Sequence, residues 1–230
     1  MTKRILFLAS VALTLFACSG DQTPSSFTFD DIQYWVGEGE NRAMLIVQWN
    51  DGKKPDALAY GYRWSGTKHG YDMIDDIAKA DKRLFYIFFN DFALGNAIGG
   101  IGFDAGGNND VKLSNGGSCV SPVNGSIATD GYDFDNWKLC DNANARWQAG
   151  WYETGYWSYW VTDIIDGKWE YSDLGASSRV LKNNSIDAWD FDINAFTGDD
   201  NSTYYKCMGP GKNCDGRNYF DIITPVSKPK

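Results

Sequence analysis

Ala57-Leu58-Ala59-Tyr60-Gly61-Tyr62-Arg63-Trp64 alternates without a break. Leu58, Tyr60, Tyr62 and Trp64 fall on one side of an extended chain. Ala57, Ala59, Gly61 and Arg63 fall on the other, because successive side chains of a strand point to opposite faces. Just upstream, residues 43–49 form an apolar run that ends in Asn50-Asp51-Gly52, a strong turn signal. Working outward, the same reading predicts strands at 27–36, 84–89, 96–103, 152–162, 169–171, 188–193 and 220–223. One segment changes period. Residues 71–80 place Met73, Ile74, Ile77 and Ala78 on one side and Asp75, Asp76 and Lys79 on the other, an amphipathic helix with Asp72 near its start. The expected fold is mainly β: an antiparallel β-sandwich-like single domain, residues 27–225, with one or two short helices. The Gly- and Asn-rich stretch 104–118 is expected to be a long loop and is the best candidate for a subdomain break.

Composition narrows the function classes. The chain has 230 residues, 43% of them hydrophobic and 22% charged, enough to bury a core. Its net charge of -9, with no basic stripe, argues against nucleic acid as a partner. Histidine occurs once, at His69, which argues against a histidine triad or a multi-histidine metal site within one chain. There are 26 Asp and only four Glu, a skew that favours turns.

The first residues read as an address. Lys3 and Arg4 precede an apolar stretch, 5–16, too short to span a bilayer. It runs into Leu15-Phe16-Ala17-Cys18, which resembles the lipobox of bacterial lipoproteins, where a small residue precedes the cysteine that is lipidated and becomes the new N-terminus. Residues 1–17 are therefore expected to be a lipoprotein signal peptide, Cys18 the lipidation site and 18–26 a polar tether. Ser19 after the cysteine resembles outer-membrane retention. Without Cys18, four cysteines remain, and an even number in an exported chain reads as a disulfide framework. Gly209-Pro210-Gly211 lets Cys207 and Cys214 meet, which leaves Cys119 and Cys140 as the second pair.

The run 34–66, "YWVGEGENRAMLIVQWNDGKKPDALAYGYRWSG", the helix "YDMIDDIAKAD" and the later "GYWSYW" (155–160) and "LGASSRVL" (174–181) resemble a group of exported bacterial surface proteins and lipoproteins of the Bacteroidetes type. The resemblance covers the whole mature chain. It implies a place at the cell surface beside an outer-membrane transporter, since similar lipoproteins accompany uptake systems, including those for corrinoids. It carries over no catalytic residue.

Candidate chemistry centres on aromatic side chains. Trp151, Tyr152, Tyr156, Trp157, Tyr159 and Trp160 crowd one segment, and alternation puts large rings on both faces of its strand. One face suffices for a core. The other either packs a second layer or offers a platform on which a sugar or a planar macrocycle stacks. Trp64 and His69 make a second aromatic site conceivable, and His69 is the one imidazole that a corrinoid or haem would find here. Asp190, Asp192 and Asn194 have the alternating spacing of a calcium loop, and Asp130, Asp133 and Asp135 form a second acidic cluster. Ala195 stands where a calcium loop needs its turn glycine, and in a strand alternate Asp residues are expected on the solvent face. Gly100-Ile101-Gly102 mimics a dinucleotide fingerprint but leads into no helix. Glu153, with Glu170 or Asp163 as partner, is the candidate carboxylate pair of a glycosidase-like enzyme. The expected function is non-catalytic capture of a glycan or a large ring cofactor at the outer membrane. The alternatives are that enzyme and a structural or adhesive surface protein.

Overall fold

The computed structural model describes residues 27–91, 93, 95–107, 110–141, 144–163, 169–192 and 223–229. Cys18, Asn194, Cys207, Cys214 and the tether lie outside the described residues. The chain is mainly β, as the alternation predicts. A short 3-10 turn, Phe29–Asp31, leads into β1 (Trp35–Gly37), β2 (Asn41–Gln48) and β3 (Ala57–Trp64). The amphipathic stretch is α1 (Gly70–Ala80). Then come β4 (Leu84–Asp91), β5 (Gly95–Asp104), β6 (Leu113–Ser114), β7 (Ser126–Thr129), β8 (Lys138–Leu139) and β9 (Ala145–Ala149). The last described strands are β10 (Tyr156–Thr162), β11 (Glu170–Tyr171), β12 (Ser185–Asp192) and β13 (Ile223–Pro225).

Two sheets carry the fold. The larger has the order β1-β3-β2-β12-β10-β11, with β13 also beside β3; the smaller has the order β7-β4-β5-β9. β6 and β8 make a separate ribbon. Pairing is mixed. The β2–β3 hairpin is antiparallel, with Asn41 opposite Trp64 and Gln48 opposite Ala57. β12 runs parallel to β2, and β7 parallel to β4. Strand β9 pairs with β5, so strands from either side of the 104–118 stretch share one open sheet.

The larger sheet buries both faces. Leu45, Val47, Tyr60, Tyr62, Trp64, Trp157, Tyr159, Trp189 and Phe191 meet α1 and the inner face of the smaller sheet through Met73, Ile77, Tyr86 and Ile101. Trp49 Nε1 donates to the Ile101 carbonyl at 2.9 Å, tying the sheets together. On the opposite face, Met44, Ile46, Ile186, Ala188 and Trp160 are covered by Phe29 and Ile32. A third cluster, including Phe85, Ile87, Leu113, Phe134 and Trp137, lies on the outer face of the smaller sheet. The glycines of β5 make that cluster possible. A Cβ at Gly99 would sit 1.9 Å from the Phe134 ring, and one at Gly102 would sit 2.2 Å from Phe85. This is why Gly100 and Gly102 lie in a strand under rings and not in a phosphate loop.

Candidate functional site

Asp135 organises the most distinctive surface of the molecule. Its carboxylate accepts the backbone N–H groups of Trp151, Tyr152, Glu153 and Thr154 at 2.8–3.1 Å and the Thr154 hydroxyl at 2.8 Å. Burial by itself would raise its pKa. The bonds from Thr154, Glu153 and Trp151 outweigh burial and hold the carboxyl down at about 2. The loop before β10 is thereby fixed, and its rings with it.

Those rings form a ridge. Tyr132 lies 4.9 Å from Phe89 and 4.7 Å from Trp151, centroid to centroid; Trp151 lies 5.1 Å from Tyr156. Phe134 is fully buried and packs against both Tyr132 and Trp151. Tyr152 stands edge-on to Trp151 and is 61% exposed. The Tyr156 and Tyr171 hydroxyls are 3.4 Å apart, which carries the ridge to the edge strand β11. Tyr132 donates to Asp91 at 2.6 Å, and burial together with that carboxylate pushes its phenol up to about 12. It is therefore a neutral donor at physiological pH.

At Tyr132 the ridge opens into a cleft of about 700 Å³. One wall is β7, the outermost strand of the smaller sheet, with the turn that follows it. Val120, Val123 and Trp137 supply apolar lining, and Asp130 and Asp133 supply carboxylates. Val123 is 73% exposed. Apart from Asn115, every lining residue falls between Cys119 and Cys140. These two cysteines are bonded, with Cα atoms 6.2 Å apart, so one covalent loop carries the cleft.

The aromatic segment picked out by composition divides in two. Trp151 and Tyr156 are half-buried on the ridge, and Tyr152 is exposed beside them. Trp157, Tyr159 and Trp160 are buried, at 1%, 6% and 3% exposure, and offer no platform. Trp157 and Tyr159 point into the core between the sheets, and Trp160 into the core on the other face. Trp64 is also a core residue, stacked on Tyr62 at 5.6 Å. His69 sits at the start of α1, where its backbone N–H donates to Asp72 at 2.7 Å and its Nδ1 lies 3.2 Å from the same oxygen. Tyr132, Trp137, Val120 and Val123 were not singled out by alternation. The run Tyr132-Asp133-Phe134-Asp135 carries a signal for Tyr132, with rings at alternate positions beside the acids; Trp137, three residues after Phe134, and Val120 and Val123, upstream of the run, fall outside that pattern.

The acidic candidates lie in different surroundings. Glu153 is exposed on the Asp135-bound loop. Glu170 precedes Tyr171 on β11, so alternation turns it to the face opposite the ridge. Asp163 is held by Arg179 at 2.8 Å and Lys182 at 3.1 Å. Asp190 and Asp192 are buried, not solvent-facing, because β12 is a central strand flanked by β2 and β10 and covered on both sides. Asp190 accepts Asn50 Nδ2 at 2.8 Å. Among the described residues, no three His, Cys, Asp or Glu side chains come together to hold a metal ion, and this includes the calcium candidates that are described.

The "LGASSRVL" run has a structural use. The Arg179 and Ala176 carbonyls accept the N–H groups of Gly70 and Tyr71 at 2.9 and 3.0 Å, satisfying the free donors at the start of α1. Arg179 reaches Asp187 at 3.2 Å, and the Tyr159 hydroxyl donates to the same carboxyl. Asp187 is fully buried. Comparison with protein-family models, curated proteins and solved structures finds no match to this chain.

Proposed function

We propose that this protein is an outer-membrane lipoprotein, anchored through Cys18 and displayed at the cell surface, that captures a ligand without transforming it. The ligand is a glycan, taken up on the ridge and cleft and passed to a neighbouring outer-membrane transporter. One observation carries the reading: a row of rings, Tyr132, Trp151 and Tyr156, spaced 4.7 and 5.1 Å apart, is pinned by Asp135 and continuous with the cleft. Flat rings remove water from the apolar face of a sugar, while the Tyr132 hydroxyl, Asp130 and Asp133 offer hydrogen-bonding groups at its edge. An elongated row suits a chain of sugars better than a compact macrocycle. Glu153 is exposed on a loop and Glu170 faces away from the ridge on β11, an arrangement that does not suit a carboxylate pair flanking a sugar bound on the ridge.

A glycan array and a corrinoid panel, each read with wild-type protein, Tyr152→Ala and Trp151→Ala, test this. Tyr152 is exposed, so its loss leaves the melting temperature within about 1–2 °C while weakening glycan binding roughly tenfold. Trp151→Ala abolishes binding. Corrinoid binding without glycan binding replaces the ligand by a large ring cofactor. If nothing on either panel binds, the structural or adhesive reading takes over, which the burial of Trp157, Tyr159 and Trp160 favours.

A further inference from the structure

Arg42 on β2 and Arg63 on β3 stand directly opposite each other in the hairpin register. Both side chains project from the face that carries Met44 and Ala59. Like charges placed directly across a strand pair repel. In a chain with 30 acidic residues against 21 basic ones, each guanidinium is expected to find a carboxylate. Among the described residues neither one is in an ion pair.

Each is instead laid against an aromatic ring. The Arg42 guanidinium carbon is 4.6 Å from the Phe29 ring centre, and that of Arg63 is 4.6 Å from the Trp35 ring. Phe29 and Trp35 stack on one another, 6.3 Å apart and 22° from parallel, and Phe29 is buried. Trp35 lies over Gly61, where a Cβ would come within 2.4 Å of its ring. Arg42 Nε also donates to Asn184 Oδ1 at 2.8 Å. Two planar forks are thus held in fixed orientation on a rigid base, with the outer nitrogens of Arg42 and the whole fork of Arg63 unbonded among the described residues.

We propose that Arg42 and Arg63 form a binding site for a phosphate group. A guanidinium stacked through its face keeps its edge N–H groups for bidentate bonds to an oxyanion. One fork satisfies a carboxylate; two adjacent forks with two positive charges match the several oxygens and higher charge of a phosphate. An anion between them also relieves the repulsion that the register imposes. The acidic groups nearby in sequence limit what enters. Asp31 is bonded to Thr28 and Glu40 to Ser65, while Asp30 and Glu38 are exposed. They disfavour an extended polyanion over a single phosphate group. That group belongs to a soluble phosphate or to a lipid headgroup. Phe29 is eleven residues after Cys18, and eleven residues span at most about 40 Å, so a headgroup is within reach of an anchored chain. The site is independent of the aromatic ridge.

The test uses the mature chain, residues 18–230, with Cys18→Ser, so that neither a lipid of its own nor the apolar stretch 5–16 drives membrane association. Inorganic phosphate is titrated against chloride at matched ionic strength, following melting temperature and Trp35 emission, with Trp35→Phe as the optical control. Co-sedimentation with phosphatidylglycerol vesicles forms the second arm. Arg63→Gln and Arg42→Gln are read in both arms, with circular dichroism to confirm that they fold. The proposal expects a saturable response that Arg63→Gln weakens roughly tenfold and Arg63→Lys restores only in part. A response to phosphate identifies a soluble ligand; a response to vesicles alone identifies the headgroup. A response that survives in the double glutamine variant overturns the proposal, as does a folded wild type that answers to neither probe.

Discussion

Asp187 shows how far one residue's behaviour departs from its type. It is fully buried, and burial pushes its carboxyl up to about 6 from 3.8, although Arg179 and the Tyr159 hydroxyl pull it back. The surroundings leave no slack: a Cβ at Gly70 would sit 2.9 Å from its Oδ2 and 2.0 Å from the Tyr159 hydroxyl. The folded state therefore holds the Asp187 proton more tightly than the unfolded state. That contribution is complete below about pH 4 and is lost as pH rises through about 6, amounting to about 3 kcal/mol. Asp135 has the opposite sign. Its carboxyl is held down at about 2, so its contribution is present above pH 4 and is lost as acid is added. Urea unfolding of wild type and Asp187→Asn at pH 4 and pH 7 isolates the first effect. Relative to the variant, wild type is expected to lose stability on going to pH 7. A difference between the two proteins that does not change with pH contradicts the account of Asp187.

Among the elements, the disulfide loop that contains β7 is the one on which the candidate site depends. The four residues of β7 pair with β4 on one side only, and the rest of the 119–140 segment holds just the two-residue strand β8. A bond between Cys119 and Cys140, 21 positions apart, restricts the unfolded chain and is expected to stabilise the protein by about 3 kcal/mol. Replacing both cysteines with Ser should lower the urea midpoint and weaken glycan binding together, because the cleft wall is the restrained segment. Loss of stability with unchanged binding would separate the cleft from the ligand site. Strand β10 makes the complementary point. Its rings fill cores on both sides of the larger sheet, and Trp157→Ala is expected to cost about 3–5 kcal/mol, measured as a fall in melting temperature.

At the scale of the molecule, two sheets and one helix share a core, and the ridge runs along the outside from the smaller sheet to the edge of the larger one. If the chain is tethered through Cys18, this surface is carried at the membrane. Cys18→Ser should move the protein from the membrane fraction to the soluble fraction on cell fractionation; an unchanged distribution contradicts the anchor.

Local patterns determined much of this architecture. The alternation at 57–64, the turn at Asn50-Asp51-Gly52 and the helical period at 71–80 are properties of neighbouring residues, and β2, β3 and α1 follow from them within a residue or two. Cysteine parity and the turn at 209–211 left Cys119 and Cys140 to pair, and they are bonded. What alternation cannot carry is which face of a strand meets another layer. β12 joins β2 in parallel across some 140 residues of chain, and this covers Asp190 and Asp192, which strand periodicity alone turned to solvent. Alternation puts Trp157 and Trp160 on opposite faces of one strand and leaves open whether the second face is core or platform; both are core in space, because the larger sheet is covered on both faces. Strands β7 and β9 are short and weakly alternating, and their order comes from pairing with β4 and β5. The ridge is a tertiary product: Tyr132 and Trp151 meet because Asp135 gathers four backbone N–H groups from a loop sixteen to nineteen residues away, an attraction that acts through space and leaves no period in the chain.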